Sequence, residues 1–282
     1  KTDKPLALVS NYAMVDDREL AQKLVAAGIP LLRGTKNALK AARHVMAYRD
    51  FLAVPVSKRS ACDDEFGWRD VLSAKGHLSE TEGLRMLGDF GIASPTHVQI
   101  ESVSEITGAT AGLRFPVVLK TAEDHAHKSD VGGVVLNLPD TKAVEAAYLK
   151  MSAKLGPKAL VAEMAPKGIE LALGSVWDNG FGPVIVLSAG GVLVEYLDDS
   201  IAALAPVTEA EAVQLLKTLK CFRLLQGVRG AKPADVADAA RQIAAFSRMI
   251  VALGPACAES DINPLICTEA GALALDCLFV GG

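Results

Sequence analysis

Five short strand-like runs, at 117–120, 134–138, 160–164, 170–176 and 184–187, follow one another with a single helical pattern among them. That helical pattern places Val144, Tyr148, Met151 and Leu155 on one face. Strands and helices are therefore mixed without strict βαβ alternation, which indicates an α+β arrangement for residues 77–282. Further helices are expected from caps and spacing. Ser79-Glu80-Thr81-Glu82 reads as a capping box before Leu84, Leu87 and Phe90, with Gly91 as the stop. Thr208-Glu209-Ala210-Glu211 caps a second, and Val236, Ala240, Ile243, Ser247 and Ile250 trace one side of a third. The chain closes with an expected hairpin: 262–267, a Glu269-Ala270-Gly271 turn, then 272–279.

The first 50 residues read as strand, helix, strand, helix: 6–10, then 18–27 ending at Gly28, then 29–32, then 38–48. So few elements bury little surface, so this stretch is expected to be the tail of a larger α/β domain and to pack loosely or lean on a neighbour. Residues 51–76 show polar clusters and no periodicity, as a linker would. The expected domains are 1–52, a linker at 53–76, and 77–282.

Composition narrows the function. Half the residues are hydrophobic and the net charge is -4, with Lys and Arg scattered. That argues against nucleic acid as the main partner. No apolar stretch reaches the 18 or so residues of a membrane span, and no secretory leader is visible. Five cysteines, with no C-x-x-C pair, are expected to be reduced thiols in a cytoplasmic protein.

The common nucleotide signatures, G-x-x-x-x-G-K-[ST] and G-x-G-x-x-G, are absent. Less generic patterns stand in their place. Pro116-Val117-Val118-Leu119-Lys120 puts a lysine at the end of a buried-looking strand. His127-Lys128-Ser129-Asp130-Val131-Gly132-Gly133 follows, and adjacent glycines let backbone N–H groups approach a polyphosphate. A snorkelling lysine and an ordinary glycine turn fit the same residues. A Pro/Gly hinge runs from Glu163 through Met164 to Glu170. It suits an adenine edge, with Met164 packed on the base and Glu170 near the ribose, and it also suits a plain strand connection. Asp261 and Asn263 share one strand face, and Asp276 lies on the opposing arm of the closing hairpin. One or two such oxygen ligands plus phosphates are what Mg²⁺ prefers, although a polar strand end reads the same way. Ala189-Gly190-Gly191, with Glu195 and Asp198 beyond it, and Gly227-Val228-Arg229-Gly230 are further anion-facing candidates or simple turns. His125-Ala126-His127 has no further ligand at metal-site spacing.

Taken in order, these segments resemble the ATP-grasp domain of NDP-forming (ADP-forming) acyl-CoA synthetases, relatives of the succinyl-CoA synthetase β subunit. The likeness covers 78–280, and residues 1–50 resemble the end of the flavodoxin-like ligase domain that precedes ATP-grasp in fused members. The fold implied is α/β, with α+β ATP-grasp lobes after a partial flavodoxin-like segment. The resemblance implies that Lys120 contacts ATP phosphates and that His127, Lys128 and Ser129 belong to a phosphate-covering loop. It implies Glu163, Met164 and Glu170 at the adenine and ribose, and Asn263 and Asp276 as Mg²⁺ ligands.

The reaction implied is acid + CoA + ATP giving acyl-CoA + ADP + phosphate. His127 matches a second phosphohistidine that passes the phosphoryl group in some members. The CoA-binding domain with its own phosphohistidine, and with it the CoA and carboxylic acid sites, is expected to lie outside this chain, which is expected to make no acyl-CoA alone. Two other readings share parts of the pattern. One is a regulatory ligase-like region of a protein acetyltransferase, disfavoured by the presence of the lysine, the loop histidine and the metal ligands. The other is a different ATP-grasp carboxylate ligase, disfavoured by the His127 loop.

Overall fold

The structure, a computed structural model, describes residues 4–11, 18–53, 62–123, 131–191, 199–228 and 230–282. Contacts divide the chain into two units, Lys1–Lys58 and Arg59–Gly282.

In the first unit, β1 (Leu8–Ser10) pairs in parallel with β2 (Leu31–Arg33), with α1 (Arg18–Ala26) between them and α2 (Thr35–Ala53) after them. The α1 helix stops where glycine makes stopping cheap. Gly28 has φ 70°, its N–H donates to Val25 O, and the Ile29 N–H reaches Leu24 O at 2.9 Å. Only Ala38 is buried on α2 and no residue is buried on α1, while Val25, Leu39, Tyr48 and Phe51 stay exposed. The expectation of a thinly packed segment fits this: two short strands leave most apolar side chains uncovered.

The second unit contains α3 (Trp68–Lys75), α4 (Glu80–Asp89), β3 (His97–Ile100), α5 (Ile106–Thr110), β4 (Val117–Thr121), β5 (Val134–Leu138), α6 (Thr141–Leu155) and β6 (Ala159–Glu163). It continues with β7 (Ile169–Asp178), β8 (Gly182–Ala189), β9 (Ser200–Leu204), α7 (Glu209–Thr218), α8 (Phe222–Leu225), α9 (Val236–Leu253), β10 (Cys257–Thr268), β11 (Gly271–Ala274) and β12 (Cys277–Gly281). Two antiparallel sheets result. One has the order β3-β6-β4-β5. The other runs β11-β10-β7-β8-β9, with β12 also paired to β10.

The smaller sheet shows how alternation creates two usable faces. Val117 and Leu119 on β4, with Ala159 and Val161 on β6, face a core closed by Ile106 of α5 and by Val144, Tyr148 and Met151 of α6. The residues between them, Val118 and Lys120 on β4 and Leu160 and Ala162 on β6, line a cavity on the opposite face. The larger sheet is covered by α9, which buries twelve residues, among them Phe246 and Met249. Gln242, buried in this helix, accepts from Ala93 N and donates to Ala272 O, so the polar group is satisfied inside the core. Both expected capping boxes form, at Ser79/Glu82 and Thr208/Glu211.

Three expectations need correcting. Residues 68–75, expected within a linker, form α3, and Trp68 and Leu72 join the main core. Trp68 is further held by its indole N–H to Asp89 at 2.8 Å. The helix is only eight residues long, too short to show a clear period. The closing hairpin has three arms instead of two, because the return arm breaks at Leu275-Asp276 and both halves pair with β10. Finally, β3, α5, β9 and α8 have no counterpart among the elements expected from the sequence.

Among the described residues no two cysteines are joined. Burial pushes the Cys221, Cys257 and Cys267 thiols up to about 12, which makes them inert packing groups.

Candidate functional site

The cavity on the open face of the smaller sheet has a volume of about 190 Å³. Its walls are mostly apolar: Val118, Leu160 and Ala162 from the sheet, Leu84 from α4, Met164 from the hinge, and Leu275 from the β11–β12 break. Lys120 supplies an ammonium to this lining. An apolar slot with few polar groups suits a flat ring, and a cation at its border suits an attached anion.

Lys120 gets there because β4 is pleated. Val117 and Leu119 are drawn into the helix-covered core, so the next side chain must emerge on the far face. Its Nζ donates to Glu80 Oε1 at 3.1 Å and to the main-chain oxygen of Leu275 at 2.6 Å. Glu80 occupies the first turn of α4, where helix partial charge favours a carboxylate.

The hinge after β6 is held by its backbone. The Glu163 N–H donates to Thr96 O at 2.9 Å and the Met164 N–H to Pro116 O at 3.3 Å. The Glu163 carboxylate borders the cavity but is committed to Arg114, which donates from its backbone N–H at 3.0 Å and from Nη2 at 2.8 Å. Those bonds, the guanidinium first, hold the Glu163 carboxyl below the usual carboxylate range. Arg114 was not legible in the sequence, since a lone arginine before Phe115-Pro116 forms no pattern. Glu170 stands apart. It is exposed on β7, it does not line this cavity, and its main-chain oxygen accepts from Gly190 N at 2.8 Å.

Asn263 and Asp276 are brought together as expected. The Asn263 N–H donates to Asp276 O at 3.3 Å, and Leu275 N to Pro264 O at 3.0 Å. Asn263 is exposed and Asp276 half-buried, and the Asp276 carboxylate accepts from Cys277 N at 2.8 Å. Because Lys120 binds Leu275 O, the ammonium and the Asn263–Asp276 pair converge on one break in the larger sheet. Asp261, two residues before Asn263, has its carboxyl pushed up by burial and then by the charges of Asp276 and Glu259. The Asn263 side-chain amide oxygen and the Asp276 carboxylate at this break are oxygen donors of the kind Mg²⁺ takes. Among the described residues no cluster of three or more His, Cys, Asp or Glu side chains is placed to hold a metal unaided. Mg²⁺ commonly takes one or two protein ligands and completes its shell with phosphates and water.

His127, Lys128 and Ser129 lie outside the described residues, as do Glu195, Asp198 and Arg229.

Residues 71–280 match the family model described as ATP-grasp domain. The chain belongs to the ATP-grasp family. Among its relatives are ADP-forming CoA ligases. It is 37% identical over 204 residues to the 4-hydroxybutyrate–CoA ligase (ADP-forming) of Nitrosopumilus maritimus, covering 69% of this chain and 29% of that protein. It is 30% identical over 208 residues to subunit beta of acetate–CoA ligase (ADP-forming) I from Pyrococcus furiosus, covering 71% of this chain and 89% of the subunit. A similar solved structure is the dinucleotide-forming acetyl-coenzyme A synthetase 1 of Ca. Korarchaeum cryptofilum. It was solved with coenzyme A and Mg-AMPPCP, its phosphohistidine segment pointing towards the nucleotide binding site. The TM-score is 0.68 at 31% identity, covering 76% of this chain and 97% of that one. This ATP-grasp chain thus spans under a third of the N. maritimus ligase and most of the P. furiosus subunit. Among its described residues no helix is long and apolar enough to cross a membrane.

Proposed function

We propose that this chain is the ATP-binding, phosphoryl-transferring part of an acid–CoA ligase that forms acyl-CoA, ADP and phosphate from acid, CoA and ATP. The observation that carries this reading is the convergence of Lys120, at the border of an apolar cavity, with Asn263 and Asp276 at the Leu275–Asp276 break. The base would lie among Val118, Leu160, Met164 and Leu275, with the hinge from Glu163 along its edge and Glu170 towards the ribose. Lys120 would meet the phosphates. Asn263 and Asp276 would hold Mg²⁺, which when bound supplies charge neutralisation to the phosphate oxygens. Phosphoryl transfer needs little more from a protein than position and charge, and this chain offers both.

His127 is proposed to carry the phosphoryl group transiently between ATP and a histidine of a CoA-binding partner region, with Lys128 and Ser129 in the same phosphate-covering segment. A neutral imidazole attacks phosphorus as ADP leaves, and a neighbouring Lys128 charge would favour the neutral ring. CoA and the carboxylic acid would bind in that partner region.

Two experiments test this. In calorimetry, Asn263→Ala with Asp276→Ala should abolish Mg²⁺-dependent ATP binding while the circular dichroism spectrum stays native. Unchanged Mg²⁺-ATP affinity would refute the metal assignment. With the CoA-binding region supplied and radiolabelled ATP, His127→Ala should bind ATP yet pass no label to the partner histidine. Transfer at the wild-type rate would remove His127 from the path.

A further inference from the structure

Glu80 is a carboxylate whose side chain is 1% exposed, and its charge partner Lys120 is 13% exposed. A carboxylate is rarely kept so dry for stability alone, because desolvation offsets most of the gain from pairing. Its placement is informative. An ammonium has three protons to donate, on a stem with four rotatable carbon links. Among the described residues Glu80 Oε1 takes one proton at 3.1 Å and Leu275 O another at 2.6 Å. These two acceptors come from different elements, α4 and the β11–β12 break, so they fix the ammonium from two directions. The third proton remains for a ligand.

We propose that Glu80 is a positioning residue for the nucleotide: it holds the Lys120 ammonium so that its remaining N–H meets a phosphate oxygen of ATP. This rests on the nucleotide reading above. Helix α4 does not need Glu80 for its start, because Ser79 and Glu82 cap one another across the first turn. Replacement of Glu80 by Gln therefore keeps the cap and the side-chain volume while removing the charged acceptor.

The test compares Mg²⁺-ATP with adenosine by calorimetry on the whole chain, because adenosine shares the base cavity but lacks the phosphates. Glu80→Gln should weaken ATP about tenfold, the size of one misdirected charge-assisted hydrogen bond, and leave adenosine unchanged. Glu80→Asp, which keeps the charge, should recover part of the loss. In the Glu80→Gln/Lys120→Met pair, ATP should bind no more weakly than in Lys120→Met alone. An equal loss for both ligands would make Glu80 a structural residue and overturn the proposal. Tighter ATP binding in Glu80→Gln would make it a competing counter-ion and overturn it equally. So would failure of both Glu80→Gln and Glu80→Asp to fold. Wild-type chain that binds no ATP, or a Lys120→Met/Glu80→Gln pair that binds it as wild type does, would instead bring down the nucleotide reading itself.

Discussion

Lys120, on β4 of the smaller sheet, and Leu275, in the β11–β12 break of the larger one, stand 155 positions apart in sequence, yet the ammonium of one donates to the main-chain oxygen of the other at 2.6 Å. This bond, with the Glu80 ion pair beside it, ties the smaller sheet to the larger one at the mouth of the cavity. Lys120→Met should therefore cost stability as well as function. It leaves the buried Glu80 carboxylate without its ammonium, a loss of about 3–5 kcal/mol for a pair broken on one side. Adding Glu80→Gln should return most of it. Urea unfolding of the two variants checks this, and a single variant as stable as wild type would show the pair to be solvated.

The cavity itself can be closed without touching the core behind the sheet. Ala162 faces the cavity, while its neighbour Val161 faces α6. Ala162→Phe should fill much of the 190 Å³ and lower ATP affinity at least about tenfold, a loss of about 1.4 kcal/mol of binding free energy. The melting temperature should shift by only a few degrees. Calorimetry and thermal unfolding of the same sample give both quantities.

Gly190 is required by its surroundings. A Cβ there would sit 2.8 Å from the main-chain carbons of Glu170 and Leu171, which are backbone and cannot swing aside. Gly190→Ala should therefore push the β8 end away from β7 and cost about 1–3 kcal/mol. Denaturant unfolding would register it. A neutral result would mean that the Gly190 N–H bond to Glu170 O is dispensable.

The legible part of the site was local. Lys120 could be read because it ends a strand-like run, and Asn263 and Asp276 because alternation along β10 and a closing hairpin put them on facing arms. Glu80 could be read only as a residue within the Ser79–Glu82 capping box, since its partner is 40 positions away and nothing local announces a buried pair. Arg114 was invisible for the same reason, 49 positions from Glu163. The α3 helix was missed because its signal is two buried residues, Trp68 and Leu72, whose meaning comes from the core they enter. The Glu170 reading came from its place after the hinge. In the structure its side chain is exposed on β7, beside Gly190 and Gly191, away from the cavity lining.

Asp199 gives a pH dependence outside the site. It is buried, which pushes its carboxyl up, but N–H groups of Lys220 at 2.7 Å and Cys221 at 2.8 Å outweigh burial and hold it below the usual value. A carboxyl lowered on folding contributes stability that is present above the unfolded value, near pH 4, and is lost as pH falls through the folded value. Asp199→Asn should cost about 1.5–3 kcal/mol at pH 7. The difference from wild type should shrink as pH falls below about 4. Unfolding curves at several pH values test the sign, and a gap that widens in acid would reverse it.

The central claim is that ATP occupies this cavity with its phosphates turned to Lys120, Asn263 and Asp276. A crystal structure of the chain with Mg²⁺ and a non-hydrolysable ATP analogue tests it most directly. The base should lie among Val118, Leu160, Met164 and Leu275, with a phosphate oxygen about 3 Å from Lys120 Nζ and the metal on Asn263 and Asp276. A nucleotide bound elsewhere, or one in the cavity with its phosphates directed away from Lys120, would contradict it.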